Sequence, residues 1–217
     1  SNALRSTSGA GLRTSRAYDL SAVPSFAFSV DAYYKDSGTN TSGGFLGVGF
    51  SDNLSYNSTY TGGQRDRVLV GLGLDGSATS YKLGTGGMLS NLSGSRLFGN
   101  AFGLTANTWY RFSGRVAWNT TTSQFDFSEL ALASLGPDGT ATPSPVTLSQ
   151  TSISISRGNP PANALDLNKA KFVVVASGGR GVENIDNVSA TPEVSGTPPP
   201  AFGTIAITTD TASIPEG

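Results

Sequence analysis

Residues 26–34, Phe-Ala-Phe-Ser-Val-Asp-Ala-Tyr-Tyr, alternate with a period of two. Phe26, Phe28, Val30, Ala32 and Tyr34 share one face and Ser29, Asp31 and Tyr33 the other, the pattern of a half-buried strand. Residues 108–118 repeat it most clearly: Tyr110, Phe112, Val116 and Trp118 point one way, and Trp109, Arg111, Ser113 and Arg115 the other. A polar turn from Asn119 to Ser123 follows, and 124–133 returns as a second strand. Its apolar phase slips from Phe125 and Phe127 to Leu130 and Leu132, which predicts a β-bulge near Ser128-Glu129.

Glycine-interrupted apolar runs at 45–50 and 67–74 predict two further strands. Val68, Val70, Leu72 and Leu74 share a face, while Gly71 and Gly73 fall opposite, where a missing side chain permits close approach by another backbone or a ligand. Short strands are expected at 79–83, 96–98, 146–148, 151–156, 171–176 and 182–190, and 163–167 could form a single helical turn. Many short strands separated by turn residues predict an all-β fold, an antiparallel sandwich or barrel.

Composition narrows the chemistry. The chain has 217 residues, 28 of them Gly and 11 Pro, with 13% charged residues, no Cys and no His. Disulfides, thiolate nucleophiles, Cys or His metal ligands and imidazole bases are therefore excluded. Carboxylate chemistry, oxygen-ligand cation binding or no chemistry remain. A net charge of -1 gives no bulk attraction to nucleic acid. No apolar run approaches the ~20 residues of a membrane-spanning helix.

The organisation expected from these patterns is an N-terminal segment 1–19, opening with a Ser1-Asn2-Ala3 tag remnant, and one β domain over 20–191. A Pro-rich linker follows over 192–202, carrying Pro198-Pro199-Pro200. Residues 203–217 would be either an extra edge strand or the start of a following β domain.

Five constellations are candidates for chemistry. Gly71-x-Gly73-x-x-Gly76 matches a dinucleotide fingerprint by letter, but no helix follows to supply the anion site. Oxygen ligands cluster at turns, with Asp52 and Asp186 the first choices for a cation; calcium is the ion such a supply would suit. No other cofactor is implied. The long loop 51–66 carries Tyr56, Tyr60, Arg65 and Asp66, aromatic platforms with polar reach of the kind that recognises sugars. The outward row Trp109, Arg111, Arg115 is a rival surface; packing under a loop is its alternative role.

Gln124-Phe-Asp126-Phe-Ser-Glu129 resembles the Glu-x-Asp-x-x-Glu strand motif of laminarinase-type β-glucanases. In that family the first Glu is the nucleophile, the last the general acid/base, and the Asp tunes them. Gln124 stands at the nucleophile's position, and an amide cannot form the glycosyl-enzyme intermediate. Solvent-facing positions on a strand account equally for Asp126 and Glu129.

The Phe-x-Phe-x-Val-Asp-x-Tyr-Tyr strand, the run Gly44-Phe-Leu-Gly-Val-Gly-Phe50, Thr108-Trp-Tyr-Arg111 opening a hairpin, and Gly181-Val-Glu-Asn-Ile-Asp-Asn-Val-Ser189 together resemble the concanavalin A-like lectin/glucanase superfamily. The resemblance is to its bacterial secreted or surface branch. It implies a two-layer antiparallel jelly-roll sandwich; some members bind glycans, some cut them, and fold alone does not decide. Phe202 to Gly217 resembles the start of a Calx-β-type repeat. The function expected is a non-catalytic extracellular module binding a glycan or cell-surface polysaccharide within a multidomain protein, its signal peptide removed. A structural or adhesive spacer is the alternative, and a β-glucanase-type hydrolase a third, disfavoured by Gln124.

Overall fold

The computed structural model describes residues 4–5, 10–14, 17–22, 25–35, 45–52, 67–74, 80–85, 97–156, 165–176 and 181–193. Thirteen strands occur among them: β1 (Leu4–Arg5), β2 (Ala10–Arg13), β3 (Ser25–Lys35), β4 (Phe45–Ser51), β5 (Arg67–Leu74), β6 (Ser80–Thr85), β7 (Leu97–Gly103), β8 (Thr108–Asn119), β9 (Gln124–Gly136), β10 (Ser144–Val146), β11 (Ile153–Ser156), β12 (Lys171–Ala176) and β13 (Gly181–Glu193). No helix is present among the described residues, and none long and apolar enough to cross a membrane.

The strands form two antiparallel sheets, a sandwich as the strand pattern allows and the jelly-roll arrangement that the resemblance implies. One runs β1-β13-β3-β8-β9-β10, with β11 also on β9; the other runs β2-β12-β4-β5-β6-β7. Strands β1 and β2 precede residue 20 and pair with β13 and β12. They are too short to show a periodicity of their own, so pairing rather than pattern reveals them.

The alternation read in β3 and β8 is observed. Phe26, Phe28, Val30, Tyr34, Tyr110, Phe112, Val116 and Trp118 are buried in one core with Leu46, Val48, Phe50, Val70, Leu83 and Phe172 of the other sheet. Aromatic edges tie the layers together: Phe26 meets Phe50 with ring centroids 5.1 Å apart, and Tyr34 meets Tyr81 at 5.4 Å.

The phase slip in β9 is a bulge. Ser113 opposes Ala131 and Arg115 opposes Ser128, so Glu129 and Leu130 together face Gly114. Glu129 takes a left-handed conformation, φ 52°. The extra residue returns Leu130 to the core side, into space that Gly114 leaves open. A Cβ on Gly114 would lie 2.8 Å from Leu130 Cδ2.

In the second sheet, Gly47 pairs with Gly71. A Cβ on Gly71 would fall 1.7 Å from the carbonyl oxygen of Leu46. The close approach expected of this glycine is therefore made by the neighbouring backbone. Leu69 and Val173 are also buried, outside the central core cluster. Among the described residues, Tyr33, Trp109, Arg111 and Arg115 are not buried and share the outer face of the β3–β8–β9–β13 sheet.

Candidate functional site

Register places this face in cross-strand rows. Asn184, Tyr33, Trp109 and Gly136 form one row; Asp186, Asp31, Arg111 and Ala133 form the next. A row of small residues follows, Ser189, Ser29, Ser113 and Ala131. Because side chains on one face recur every second residue, Trp109 and Arg111 are neighbours along β8, as Asp31 and Tyr33 are along β3.

Trp109 and Tyr33 form a tilted aromatic pair, centroids 5.4 Å apart and planes at 52°. Both are half-buried. Behind the indole lies Gly139 of the turn that follows β9, closed by Gly139 N–H donating to Gly136 O and Ala141 N–H to Leu135 O. A Cβ on Gly139 would stand 3.1 Å from Trp109 Cγ. The Tyr33 hydroxyl donates to Asn107 Oδ1 at 3.4 Å. The indole is thus flanked by a glycine turn on one side and a tyrosine on the other.

Beside it, Arg111 grips Asp31 with two parallel hydrogen bonds, Nε to Oδ1 and Nη2 to Oδ2, each 2.7 Å. Such forked pairing is the strong form of the ion pair. Asp31 is 2% exposed, while the Arg111 side chain is 40% exposed. Asn187 adds a third donor, Nδ2 to Asp31 Oδ2 at 2.8 Å. It does so from a second bulge, where Asn187 and Val188 together face Val30 and Asn187 has φ 48°. Asp31 therefore accepts three charged or amide donors, which offset the cost of burying its carboxylate. The hydrogen bond to Asp31 is the largest cause holding the Arg111 guanidinium above its ordinary pKa; burial opposes it and the ion-pair attraction adds to it.

Further along the face, Arg115 donates Nε and Nη2 to Glu193 Oε2, at 3.0 and 2.7 Å, and Nη1 to Glu129 Oε1 at 3.1 Å. Glu193 also accepts from Ser25 Oγ at 2.8 Å. Glu193 first and Glu129 second raise the Arg115 pKa. Asp126 accepts from Asn119 Nδ2 at 2.8 Å and from Ser154 Oγ at 2.6 Å. Of the glucanase-like motif, then, Asp126 is engaged by β8 and β11, and Glu129 by Arg115. Gln124 sits opposite Asn119 and Ser156.

The two cation candidates are not brought together. Asp52, at the end of β4, accepts from the backbone N–H of Asp166 at 2.5 Å. Asp166 itself caps its turn through Asn168 N–H and pairs with Lys169 at 3.2 Å. Asp186 lies on β13 in the other sheet and accepts from the N–H of Asn187 at 2.9 Å. No group of three or more Asp or Glu side chains that could hold a metal ion occurs among the described residues. Tyr56, Tyr60, Arg65 and Asp66 lie outside the described residues, as do 203–217.

Of the sequence candidates, the structure sets Trp109 and Arg111 side by side. Tyr33, Asp31, Asn187 and Gly139 complete their surroundings, and the sequence pattern does not mark them as partners of this site. Alternation put Tyr33 and Asp31 on the outward side of their strand, but nothing local says which outward residues of other strands they meet.

No protein-family model matches the chain, and no curated protein matches it. Among solved structures it is similar to peanut lectin in complex with a nine-residue peptide, at 14% identity over 84% of this chain and 80% of that one, with a TM-score of 0.45. A legume lectin-like domain from Entamoeba histolytica gives 9% identity, 88% and 82% coverage and a TM-score of 0.43. A PL-14 alginate lyase from Aplysia kurodai gives 14%, 79% and 71%, and 0.37. Likenesses this distant say nothing about ligand or reaction.

Proposed function

We propose that the protein is a non-catalytic, carbohydrate-binding module of a secreted or surface-displayed protein, and that its ligand meets the outer face of the β3–β8–β9–β13 sheet. One observation carries the reading: the half-buried Trp109–Tyr33 platform stands directly beside Arg111, whose guanidinium is locked in place yet partly exposed. Sugars present C–H faces that stack on aromatic rings and hydroxyls that bond fixed polar groups. A site that needs no reordering on binding loses little entropy. Gln124 in place of a nucleophilic carboxylate, with Asp126 and Glu129 already engaged, favours binding over hydrolysis.

A spacer without a small ligand is the second reading. It is favoured by the Arg115–Glu193–Glu129 and Asp126–Asn119–Ser154 groups, which satisfy one another across the face. A glycan array probed with wild type, Trp109→Ala and Tyr33→Ala separates the two. Specific binding lost in both variants supports the module; absence of binding to every glycan supports the spacer. Release of reducing sugar from β-glucans, abolished by Glu129→Gln, would overturn the non-catalytic reading.

A further inference from the structure

We infer that the ligand of this face is an uncharged saccharide, read by Arg111 acting as a charge-neutralised hydrogen-bond donor that Asn187 and Asp31 hold in position. The inference rests on the reading of this face as a glycan site and narrows its ligand class. Arg111 commits Nε and Nη2 to Asp31, leaving Nη1 without a partner among the described residues and the side chain 40% exposed. Both Asp31 oxygens are occupied, and Asn187 blocks rotation of the carboxylate by bonding Oδ2. The guanidinium is thus aimed by groups that the ligand need not touch.

Charge then decides the class of ligand. The described side chains of this face include five carboxylates, of Asp31, Asp126, Glu129, Asp186 and Glu193, against Lys35, Arg111 and Arg115. Both arginines already face carboxylates at hydrogen-bond distance. An anionic sugar at Arg111 Nη1 would find the guanidinium's charge already offset by Asp31 and would approach Asp186, opposite Asp31 in the same row, against like charge. A neutral sugar meets neither obstacle. One of its hydroxyls can accept from Arg111 Nη1 and another can donate to the Asp186 carboxylate, which among the described residues accepts only from the N–H of Asn187. Its C–H face can lie against the part of the half-buried Trp109–Tyr33 pair that the Gly139 turn leaves accessible.

The test uses defined probes: oligosaccharides of glucan, galactan and mannan as neutral chains, with polygalacturonate and sialyllactose as acidic ones. Titration of the intact chain should show binding to a neutral probe and none to the acidic probes, with affinity unchanged between low and physiological ionic strength. Arg111→Ala should weaken the neutral interaction by about tenfold, and Asn187→Ala by about threefold through loss of positioning. Asp31→Asn frees the guanidinium's charge and should create binding to polygalacturonate that salt abolishes. Should that variant fail to fold by circular dichroism, Asp186→Asn at a half-exposed position should raise acidic binding in the same sense. A wild-type preference for acidic probes, or full affinity in Arg111→Ala, overturns the inference while leaving the glycan site standing. Binding to no saccharide of either kind overturns the glycan reading itself and this inference with it.

Discussion

Asn187 donates its side-chain amide to the buried carboxylate of Asp31 across 2.8 Å, from a left-handed backbone position that few residues other than glycine tolerate. Asparagine is among those few, and its short amide reaches the adjacent strand. One residue thus closes a bulge and completes the coordination of a buried charge. Replacing Asn187 with Ala should cost about 1–3 kcal/mol, from a lost hydrogen bond to a charged acceptor plus strain at positive φ. Asn187→Gly keeps the backbone relaxed and should recover the strain component alone. Urea unfolding of both variants checks the division; equal losses would refute it.

Glu129 occupies the same backbone region, φ 52°, with a side chain 67% exposed in its bond to Arg115. An ion pair this exposed is worth about 0–1 kcal/mol. Relief of left-handed strain is worth about 1 kcal/mol. Glu129→Gly should therefore be neutral or stabilising by up to about 1 kcal/mol, and Glu129→Val clearly destabilising. Thermal melts of the pair measure the sign.

Gly114 lies under Leu130, where an added Cβ would also stand 3.0 Å from Phe28 Cζ and 3.1 Å from Ser128 O. Overpacking of this kind costs about 1–3 kcal/mol, so Gly114→Ala should lower stability by that amount. Because Leu130 is the closest obstacle, Gly114→Ala combined with Leu130→Val should destabilise less than the sum of the two singles. Strict additivity in a double-mutant cycle would contradict the proposed fit of Leu130 over Gly114.

Gly139 combines φ 70° with a position where an added Cβ would press on the indole of Trp109, 3.1 Å from Cγ. Gly139→Ala should displace the indole and strain the turn, at a cost of about 1 kcal/mol or more. In a Trp118→Phe background the single remaining tryptophan reports directly: its emission should shift and its quenching by iodide change. An unchanged spectrum would mean that the turn does not support the platform.

Much of the sandwich was legible in the chain. The inward set Phe26, Phe28, Val30, Phe112, Val116 and Trp118 follows from alternation, and the bulge from the slip between Phe127 and Leu130. The candidate site was legible only in part. Trp109 and Arg111 stand out because they are large outward residues of one strand. Asp31 looked like any solvent-facing aspartate, because burial by Arg111 and Asn187 depends on strands 80 and 156 residues away. Asp52 and Asp186 read alike as turn carboxylates, yet Asp52 follows β4 of one sheet and Asp186 lies on β13 of the other.

The division has a physical cause. Which way a side chain points along a strand is set by the pleat of the backbone, a local property with period two, so sequence alone determined the all-β class, the core face and the bulge. Which residue stands opposite which is set by register between distant strands and by turns that a linear pattern does not encode. Only the tertiary structure could set Tyr33 against Trp109 and Asp31 against Arg111, and that pairing converts two outward rows into one preorganised surface.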